Sequence, residues 1–222
     1  MCSVFRPTQR ADWVRSKFGV DLPECAAKDV YPGYLAPIIV KSHRDNRVAS
    51  GLARFGLIPA WSKDDKISRH TYNARSETVA DKPSYRKAWR NRQFAVVLAD
   101  GFDEPCYESG RAVRWRIRQA SEEPLGIAGL WDKWVNPVTG EVIASFTMLT
   151  IPAGDHPVMR RFHRPEDEKR TPMVLPADKY EDWLDATHDS ARAMLMLDMM
   201  PDLKAEPLPD RETLGSICRT NV

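Results

Sequence analysis

The chain has 222 residues, of which 42% are hydrophobic and 29% are charged, and its formal net charge at pH 7 is +2. This length suits one globular domain with a sizeable core. No run of about 18 apolar residues is present, which excludes a transmembrane helix, and the amino-terminal stretch lacks the apolar centre of a signal peptide. We therefore expect a protein that works inside the cell without membrane contact.

Cysteine and histidine spacing argues against a metal or cofactor site. The four cysteines form no CxxC pair, so neither a structural zinc site nor a disulfide framework is expected. The five histidines show no HExxH or HxH spacing. No glycine-rich phosphate loop or nucleophile-elbow motif occurs, and we expect no metal and no cofactor.

The small net charge is unevenly distributed along the chain. Residues 181–212 contain nine acidic and three basic side chains, a net charge of −6, so the remainder carries +8. Basic residues cluster around residues 86–92, 111–118 and 160–164. A basic body is compatible with an anionic partner such as nucleic acid, although ordinary solvated surfaces are the simpler explanation of the charge alone.

The predicted secondary structure combines short strands with a few short helices. A helix is predicted to begin at an N-cap Thr8 and to end at Gly19. Strands are predicted at residues 2–5, 36–41, 48–57, 93–99, 112–118, 125–134, 141–151 and 172–175. Further helices are predicted at 83–92, 177–186 and 190–200. We predict an α+β fold with a barrel-like, mostly antiparallel β core and peripheral helices, one domain over residues 1–200, and a polar, Pro-containing tail over 201–222.

Cys2 is the first candidate for chemistry. A small side chain at position 2 is the usual condition for removal of the initiator Met1, which leaves Cys2 with an α-amine and a thiol on adjacent carbons. These groups titrate near ~8 and ~8.5, so both are partly nucleophilic at neutral pH. Such a 1,2-aminothiol captures an aldehyde first as an imine and then as a five-membered thiazolidine. In isolation, an ordinary small residue at position 2 is the simpler interpretation.

The stretch 61–76 contains four polar or aromatic candidates. Trp61 either packs over the edge of the core or stacks on a nucleic-acid base. Asn73 can orient a reacting amine or carbonyl without titrating, and Arg75 suits a phosphate. The alternative is a local structural role, with Ser76 as the N-cap of a helix or Asn73 in an Asx-turn. The sequence weighs these interpretations equally.

Two titratable residues are candidates for acid–base work. Glu104 follows the apolar strand predicted at 93–99, where partial desolvation raises a carboxyl pKa. Its neighbour Asp103 is expected on the opposite face because side chains alternate. His163 lies in a charged loop before a short apolar strand and has an unperturbed pKa near neutrality, although a plain surface histidine is common.

Eight short motifs, taken in order, resemble the SRAP family (SOS response-associated peptidase, the abasic-site processing proteins). They are Met1-Cys2 with Phe5, GLIPAW at 56–61, NARSET at 73–78, KPSYRKAW at 82–89, ADGFxE at 99–104, AGLW at 128–131, FTMLT at 146–150 and H…EKRTPMVL at 163–175. Single motifs are weak signals, but the ordered set spans most of residues 1–175 and is specific.

The resemblance implies a pseudo-barrel that binds single-stranded DNA, acting as a monomer in the bacterial cytoplasm or nucleoid. It implies that Cys2, freed of Met1, links covalently to the opened sugar of an abasic site as a thiazolidine. Asn73 would position the sugar or the amine, Glu104 would shuttle protons, and His163 would act on the sugar or the imine. The implied DNA contacts are a flanking phosphate for Arg75, stacking for Trp61, and further contacts for Ser76 and Arg161.

The sequence also departs from the family pattern. Ser3 and Val4 stand where the family usually has Gly and Arg, and Pro105 stands where it usually has Trp. Asp103 replaces a usual aromatic residue, and residues 164–168 separate His163 from the last motif. The changes at 3, 4 and 105 affect the expected pocket wall and one expected phosphate contact, but not Cys2 or Glu104.

Two other functions remain open from the sequence. The first is an N-terminal-nucleophile cysteine peptidase, in which the Cys2 thiolate attacks an amide and also removes Met1. The second is a non-catalytic module that binds single-stranded DNA, for which Cys2 is dispensable. The crosslinking and peptidase alternatives differ in the electrophile that Cys2 attacks, an aldehyde or an amide.

Overall fold

A computed structural model describes residues 2–42 and 45–209. In chain order the strands are β1 (Val4–Pro7), β2 (Leu35–Lys41), β3 (Val48–Phe55), β4 (Asn73–Arg75), β5 (Phe94–Cys106), β6 (Val113–Gln119), β7 (Leu125–Val135), β8 (Val142–Pro152), β9 (Arg170–Pro172), β10 (Val174–Leu175) and β11 (Leu203–Pro207). The α-helices are α1 (Ala11–Phe18), α2 (Arg86–Arg90), α3 (Tyr180–Leu184) and α4 (His188–Met194). Within these described ranges, no helix is both long and apolar enough to cross a bilayer.

Five strands close into a barrel. The order β7-β8-β3-β2-β5 is completed by pairing of β5 back onto β7. Every pair in this ring is antiparallel except β3 with β8, which is parallel. The predicted α+β fold with a barrel-like, mostly antiparallel core is therefore confirmed.

The remaining strands extend the barrel and position its amino terminus. The second half of β5 leaves the ring and pairs with β1 on one side and β6 on the other. β4 and β9 both add to β8, in parallel and antiparallel orientation respectively. Residue 2 therefore lies directly before a strand that is held against β5.

The alternation of β5 divides its side chains between two apolar clusters. Phe94, Val96 and Leu98 pack in the cluster covered by the helices, and the indole of Trp183 in α3 donates a hydrogen bond to the carbonyl of Ala95, 3.0 Å away. The other face of β5 contributes to a second cluster that includes Cys2, Phe5, Phe55 and Phe146. Cys2 is thus part of a packed core.

Several predicted boundaries are wrong, for local reasons. The first helix begins at Ala11 with Arg10 as the N-cap and no side-chain cap, and the Thr8 hydroxyl accepts the amide hydrogen of Arg10 ahead of the helix. Gly19 ends this helix at φ +68°, as predicted. Ser76 caps no helix, since residues 76–82 form turns.

The carboxyl-terminal part of the chain also differs from the prediction. The predicted helices 177–186 and 190–200 are shorter, at Tyr180–Leu184 and His188–Met194. Residues 203–207 of the segment predicted as a tail form β11, which pairs antiparallel with β6. Backbone pairing with an exposed strand edge requires no apolar pattern, so the composition gave no signal. Residues 210–222 of the predicted tail lie outside the described residues.

β5 is longer than the apolar run that predicted it. The strand continues to Cys106 because β1 and β6 supply new hydrogen-bonding partners where β2 and β7 end. Glu104 is therefore inside a strand and not beyond its end. Strand alternation, rather than a loop, determines which way its carboxyl points.

Candidate active site around Cys2

Cys2 is completely buried at the amino-terminal end of β1. Its thiol donates to the carbonyl oxygen of Val4, with Sγ 3.4 Å from the oxygen. Burial raises the pKa of the Cys2 thiol well above its ordinary value, and the nearby negative charge of Glu104 raises it further. The sulfur is therefore a neutral thiol near pH 7.

Asn73 holds the backbone of Cys2. Its side-chain Nδ2 donates to the carbonyl oxygen of Cys2 at 2.7 Å. The Oδ1 atom of Asn73 is buried and accepts no hydrogen bond from the described residues. The hydroxyl of Tyr85 donates to the Asn73 carbonyl at 3.0 Å, which fixes the start of β4. The side-chain amide of Asn73 thus donates to Cys2 through its nitrogen, and its oxygen can accept a hydrogen bond from a further donor.

Glu104 is the buried carboxyl of the site. Its residue exposure is 1%, and burial raises its pKa to about 7, with a smaller contribution from the charge of Asp103. Asp103 itself points to the opposite face of β5, where Arg116 and Arg114 pair with it. The predicted separation of the two carboxylates is confirmed, and only Glu104 faces the thiol.

His163 faces Glu104 across the site. Its Nδ1 lies 3.4 Å from Oε2 of Glu104, and its Nε2 lies 2.9 Å from the carbonyl oxygen of Arg170. A carbonyl only accepts, so Nε2 carries the hydrogen. Nδ1 is then the nitrogen of the neutral ring that carries no hydrogen. Burial lowers the pKa of His163, which disfavours the imidazolium. A neutral imidazole and a carboxyl that titrates near pH 7 can exchange a proton.

The backbone of His163 is held in an uncommon conformation. Its φ is +64°, in the left-handed region that residues with a Cβ rarely adopt. Its amide donates to the carbonyl of Pro105 at 3.0 Å, which ties the loop to the end of β5. This strained position is maintained by contacts on both sides of the residue and aims the ring at Glu104.

Arg170 links His163 to the NARSET motif. Its guanidinium is 1% exposed and makes two hydrogen bonds of 2.8 Å to the carboxylate of Glu77. It also bonds Glu168 at 2.6 Å, and Glu168 in turn pairs with Arg75 at 2.8 Å. The predicted phosphate ligand Arg75 therefore lies in a charged network whose centre positions the imidazole.

The other predicted DNA contacts lie outside this cluster. Trp61 is 58% exposed and its indole nitrogen donates to the carbonyl of Pro83 at 3.2 Å. The hydroxyl of Ser76 donates to Glu77, and Arg161 pairs with Glu108. The structure thus gathers the four predicted catalytic residues Cys2, Asn73, Glu104 and His163, while the predicted DNA contacts have surface positions.

Two site residues were not predicted. Tyr72 precedes Asn73, packs its ring against Phe55 at 5.7 Å, and has its pKa raised by burial and then by the charges of Cys2 and Glu104. Arg170 was hidden within the last motif as an ordinary basic residue. A lone Tyr beside a motif and an Arg in a charged run carry no distinctive sequence signal, so only the fold identifies them.

The fold and site together define a class: an α+β barrel protein with a buried thiol at residue 2 and a carboxyl–imidazole pair beside it. The chain belongs to the SRAP family, since the family model described as SOS response associated peptidase (SRAP) matches residues 1–211. The resemblance carried by the eight motifs is therefore confirmed.

Similarity to individual proteins extends over most of the chain. Abasic site processing protein YobE of Bacillus subtilis (strain 168) is 32% identical over 193 residues, covering 83% of this chain and 82% of YobE. Abasic site processing protein HMCES of Gallus gallus is 31% identical over 166 residues, covering 65% of this chain and 47% of HMCES. A crystal structure of a protein from Bordetella bronchiseptica has 34% identity and a TM-score of 0.83, covering 94% of this chain and 100% of that one.

Proposed function

We propose that this protein processes abasic sites in single-stranded DNA by forming a covalent thiazolidine through Cys2, once Met1 has been removed. The main support is the position of Cys2. Its thiol is buried close to Glu104, and Asn73 holds its backbone carbonyl. The names of the relatives, abasic site processing proteins, support DNA with abasic sites as the substrate.

The first step is opening of the abasic sugar to its aldehyde. The C1 hydroxyl loses a proton and the ring oxygen gains one as the bond between C1 and the ring oxygen breaks. Glu104 suits this exchange because a group with a pKa of about 7 both donates and accepts at neutral pH. Nδ1 of His163 lies 3.4 Å from the Glu104 carboxyl, which gives the proton a second carrier.

The second step joins the protein to the sugar. The α-amine of Cys2 adds to the aldehyde carbon, and the resulting carbinolamine loses water to give an imine. The leaving hydroxyl needs a proton, which protonated Glu104 supplies. The acceptor oxygen of Asn73 is available to orient the amine, because its Nδ2 already fixes the adjacent Cys2 carbonyl.

The third step closes the ring. The sulfur of Cys2 adds to the imine carbon, and the S–H proton is transferred to the nitrogen, which gives a neutral thiazolidine. A buried, neutral thiol suits this order of events, in which the amine reacts first. His163 acts on the sugar or the imine, and the imine is also the branch point for strand scission by loss of a C2 proton and departure of the 3′ phosphate.

DNA binding surrounds this chemistry in the proposal. Arg75 contacts a flanking phosphate, and Trp61, Ser76 and Arg161 contribute further contacts to the strand. We also propose that the protein acts as a monomer, in the bacterial cytoplasm, in a DNA-damage response of the SOS type.

The peptidase alternative requires a different state of the sulfur. Attack on an amide uses a thiolate and an oxyanion hole, whereas burial and Glu104 hold the pKa of the Cys2 thiol well above its ordinary value. This observation favours amine-first capture of an aldehyde over thiolate attack on a peptide.

The test is a denaturing gel of the protein with a single-stranded oligonucleotide that carries one abasic site. We expect a covalent band on the abasic strand alone, with a mass that lacks Met1 and includes the loss of water. Cys2→Ala should abolish the band while intact single strands still bind, and Cys25→Ala, at a half-buried cysteine in the loop before β2, should leave it unchanged. Absence of the band from protein that starts at Cys2 would refute the proposal.

A further inference from the structure

Arg161 forms a layered cation–π contact with Trp115, in which the guanidinium carbon lies over the indole ring. Its guanidinium carbon lies 4.9 Å from the centre of the Trp115 ring. Its Nε and Nη2 donate to the two carboxylate oxygens of Glu108 at 2.9 and 2.8 Å. Phe162 supports the indole from the side, edge to face, at 6.2 Å between ring centres. The guanidinium plane is therefore held on one face by the indole and along one edge by a bidentate carboxylate.

This layered contact borders the reactive pair. Trp115 on β6 lies directly opposite Glu104 on β5, and cross-strand partners project from the same face of a sheet. Arg161 precedes His163 by two residues in the chain. When the abasic sugar of a DNA strand lies at Glu104 and His163, a nucleotide next to it therefore lies beside the contact between Arg161 and Trp115.

The chemistry of Arg161 suits a base better than a phosphate. Two of its three nitrogens already bind Glu108, and the carboxylate offsets its charge, so little remains for a phosphate. Its side chain is nevertheless 37% exposed, although one face is covered by Trp115. This exposure leaves part of the side chain accessible to a bound strand, and guanidinium planes stack on unpaired bases.

We propose that Arg161, backed by Trp115 and held by Glu108, is a stacking platform for the base of a nucleotide that flanks the abasic site. The proposal rests on the proposed function and specifies the DNA contact of Arg161 as a stacking contact. A second cation–π contact lies nearby in the chain, with the guanidinium carbon of Arg164 5.8 Å from the centre of the Tyr107 ring.

The test measures noncovalent binding, so that it does not depend on crosslinking. Two single strands are compared, each with an unreactive tetrahydrofuran spacer at the lesion position. In one strand the spacer is flanked by adenines, and in the other by further spacers that lack bases. The unsubstituted protein should bind the adenine-flanked strand about 10-fold more tightly, which is the size of one base stack.

A charge-neutral double variant isolates the platform. Glu108→Gln with Arg161→Gln leaves the net charge unchanged, removes the guanidinium, and changes two side chains at the surface. It should lose most of the preference for the adenine-flanked strand, while Trp115→Phe should keep that preference. An undiminished preference in the double variant, or no preference in the unsubstituted protein, would overturn the platform.

The same strands separate this proposal from the proposed function. With a true abasic site in place of the central spacer, crosslinking is scored on the gel. Crosslinking without any preference for flanking bases would refute the platform alone. A preference for flanking bases without crosslinking would refute the covalent chemistry and support the platform.

Discussion

At the scale of single residues, burial sets the protonation states that the chemistry needs. The pKa of Glu104 is raised to about 7 and that of His163 is lowered, in both cases chiefly by burial. The pair is therefore close to neutral at pH 7, with one proton that either group can hold.

The pH dependence of crosslinking follows from Glu104. The rate should rise with pH up to about 7, level off between about 7 and about 8, where the gain of free α-amine on Cys2 offsets the loss of protonated Glu104, and fall above about 8. Glu104→Gln should be slower and should lack the decline above about pH 8. The measurement is the single-turnover crosslinking rate between pH 5 and 9. A decline that persists in Glu104→Gln would assign it to another group.

The same carboxyl carries a cost for stability. The folded-state pKa of Glu104 is raised from 4.5 to about 7. The free energy of unfolding therefore falls as the pH rises through that interval, by roughly 3 kcal/mol in all. Glu104→Gln should therefore be more stable than the unsubstituted protein at pH 8, and the gain should disappear near pH 4.5. Urea unfolding at both pH values checks this, and an equal effect at both would contradict it.

At the scale of elements, the turn after β3 determines where the NARSET segment begins. Gly56 has φ +112°, and its amide donates to the carbonyl of Phe146 at 2.8 Å. A Cβ at this position would lie 1.9 Å from the backbone oxygen of Ser68. The loop can therefore fold back closely against β3 only because residue 56 has no side chain. This return path leads to β4, which presents Asn73.

Two glycines provide a matched comparison, Gly56 directly after β3 and Gly51 in the middle of this strand. Gly56→Ala should destabilise the protein by at least about 2 kcal/mol, through the unfavourable φ and the contact with a rigid backbone atom. Gly51→Ala, within the same strand, adds a methyl group with no atom inside 4 Å and should change stability little. Urea unfolding of both variants gives the difference. Equal stability of the two would show that the loop shifts freely.

At the scale of the whole molecule, the barrel separates a helix-covered side from the reactive side. One apolar cluster packs beneath α1, α3 and α4, and the other contains Cys2 and the aromatic core around it. The charged network that ends at Arg75 is joined to His163 through the Arg170 carbonyl and therefore lies on the reactive side. We therefore expect a DNA strand to follow the reactive side and to leave α1 in solvent.

The salt dependence of DNA binding should distinguish the two sides. Each phosphate neutralised on single-stranded DNA contributes roughly 0.7 to the slope of log K against log salt. Arg75→Gln should reduce the magnitude of this slope by about that amount, whereas Lys17→Ala on the exposed face of α1 should not. Binding titrations of an intact single strand at several salt concentrations provide the slopes. Equal slopes for the two variants would remove Arg75 from the phosphate contacts.

Local sequence signals predicted most strands and the closed, mostly antiparallel barrel. Alternation and apolar runs are properties of neighbouring residues, so β2, β6, β7 and β8 were predicted close to their observed bounds. The end of β5, the strand β11 and the shorter carboxyl-terminal helices were not, because each depends on a partner that is distant in the chain. Thr8 illustrates the same limit. Its hydroxyl accepts the amide hydrogen of Arg10 before the helix begins, and Arg10 is the N-cap residue.

For the candidate site, the sequence by itself determined the reactive groups: a Cys at position 2 and the motif residues Asn73, Glu104 and His163. Their identities and their order define the family. Only the tertiary structure decided that these four groups meet, that Arg170 positions the imidazole, and that Arg161 lies over Trp115 beside them. Burial, hydrogen-bond partners and stacking depend on residues that are far apart in the chain. These properties, and the pKa values they set, therefore arise only when the barrel closes.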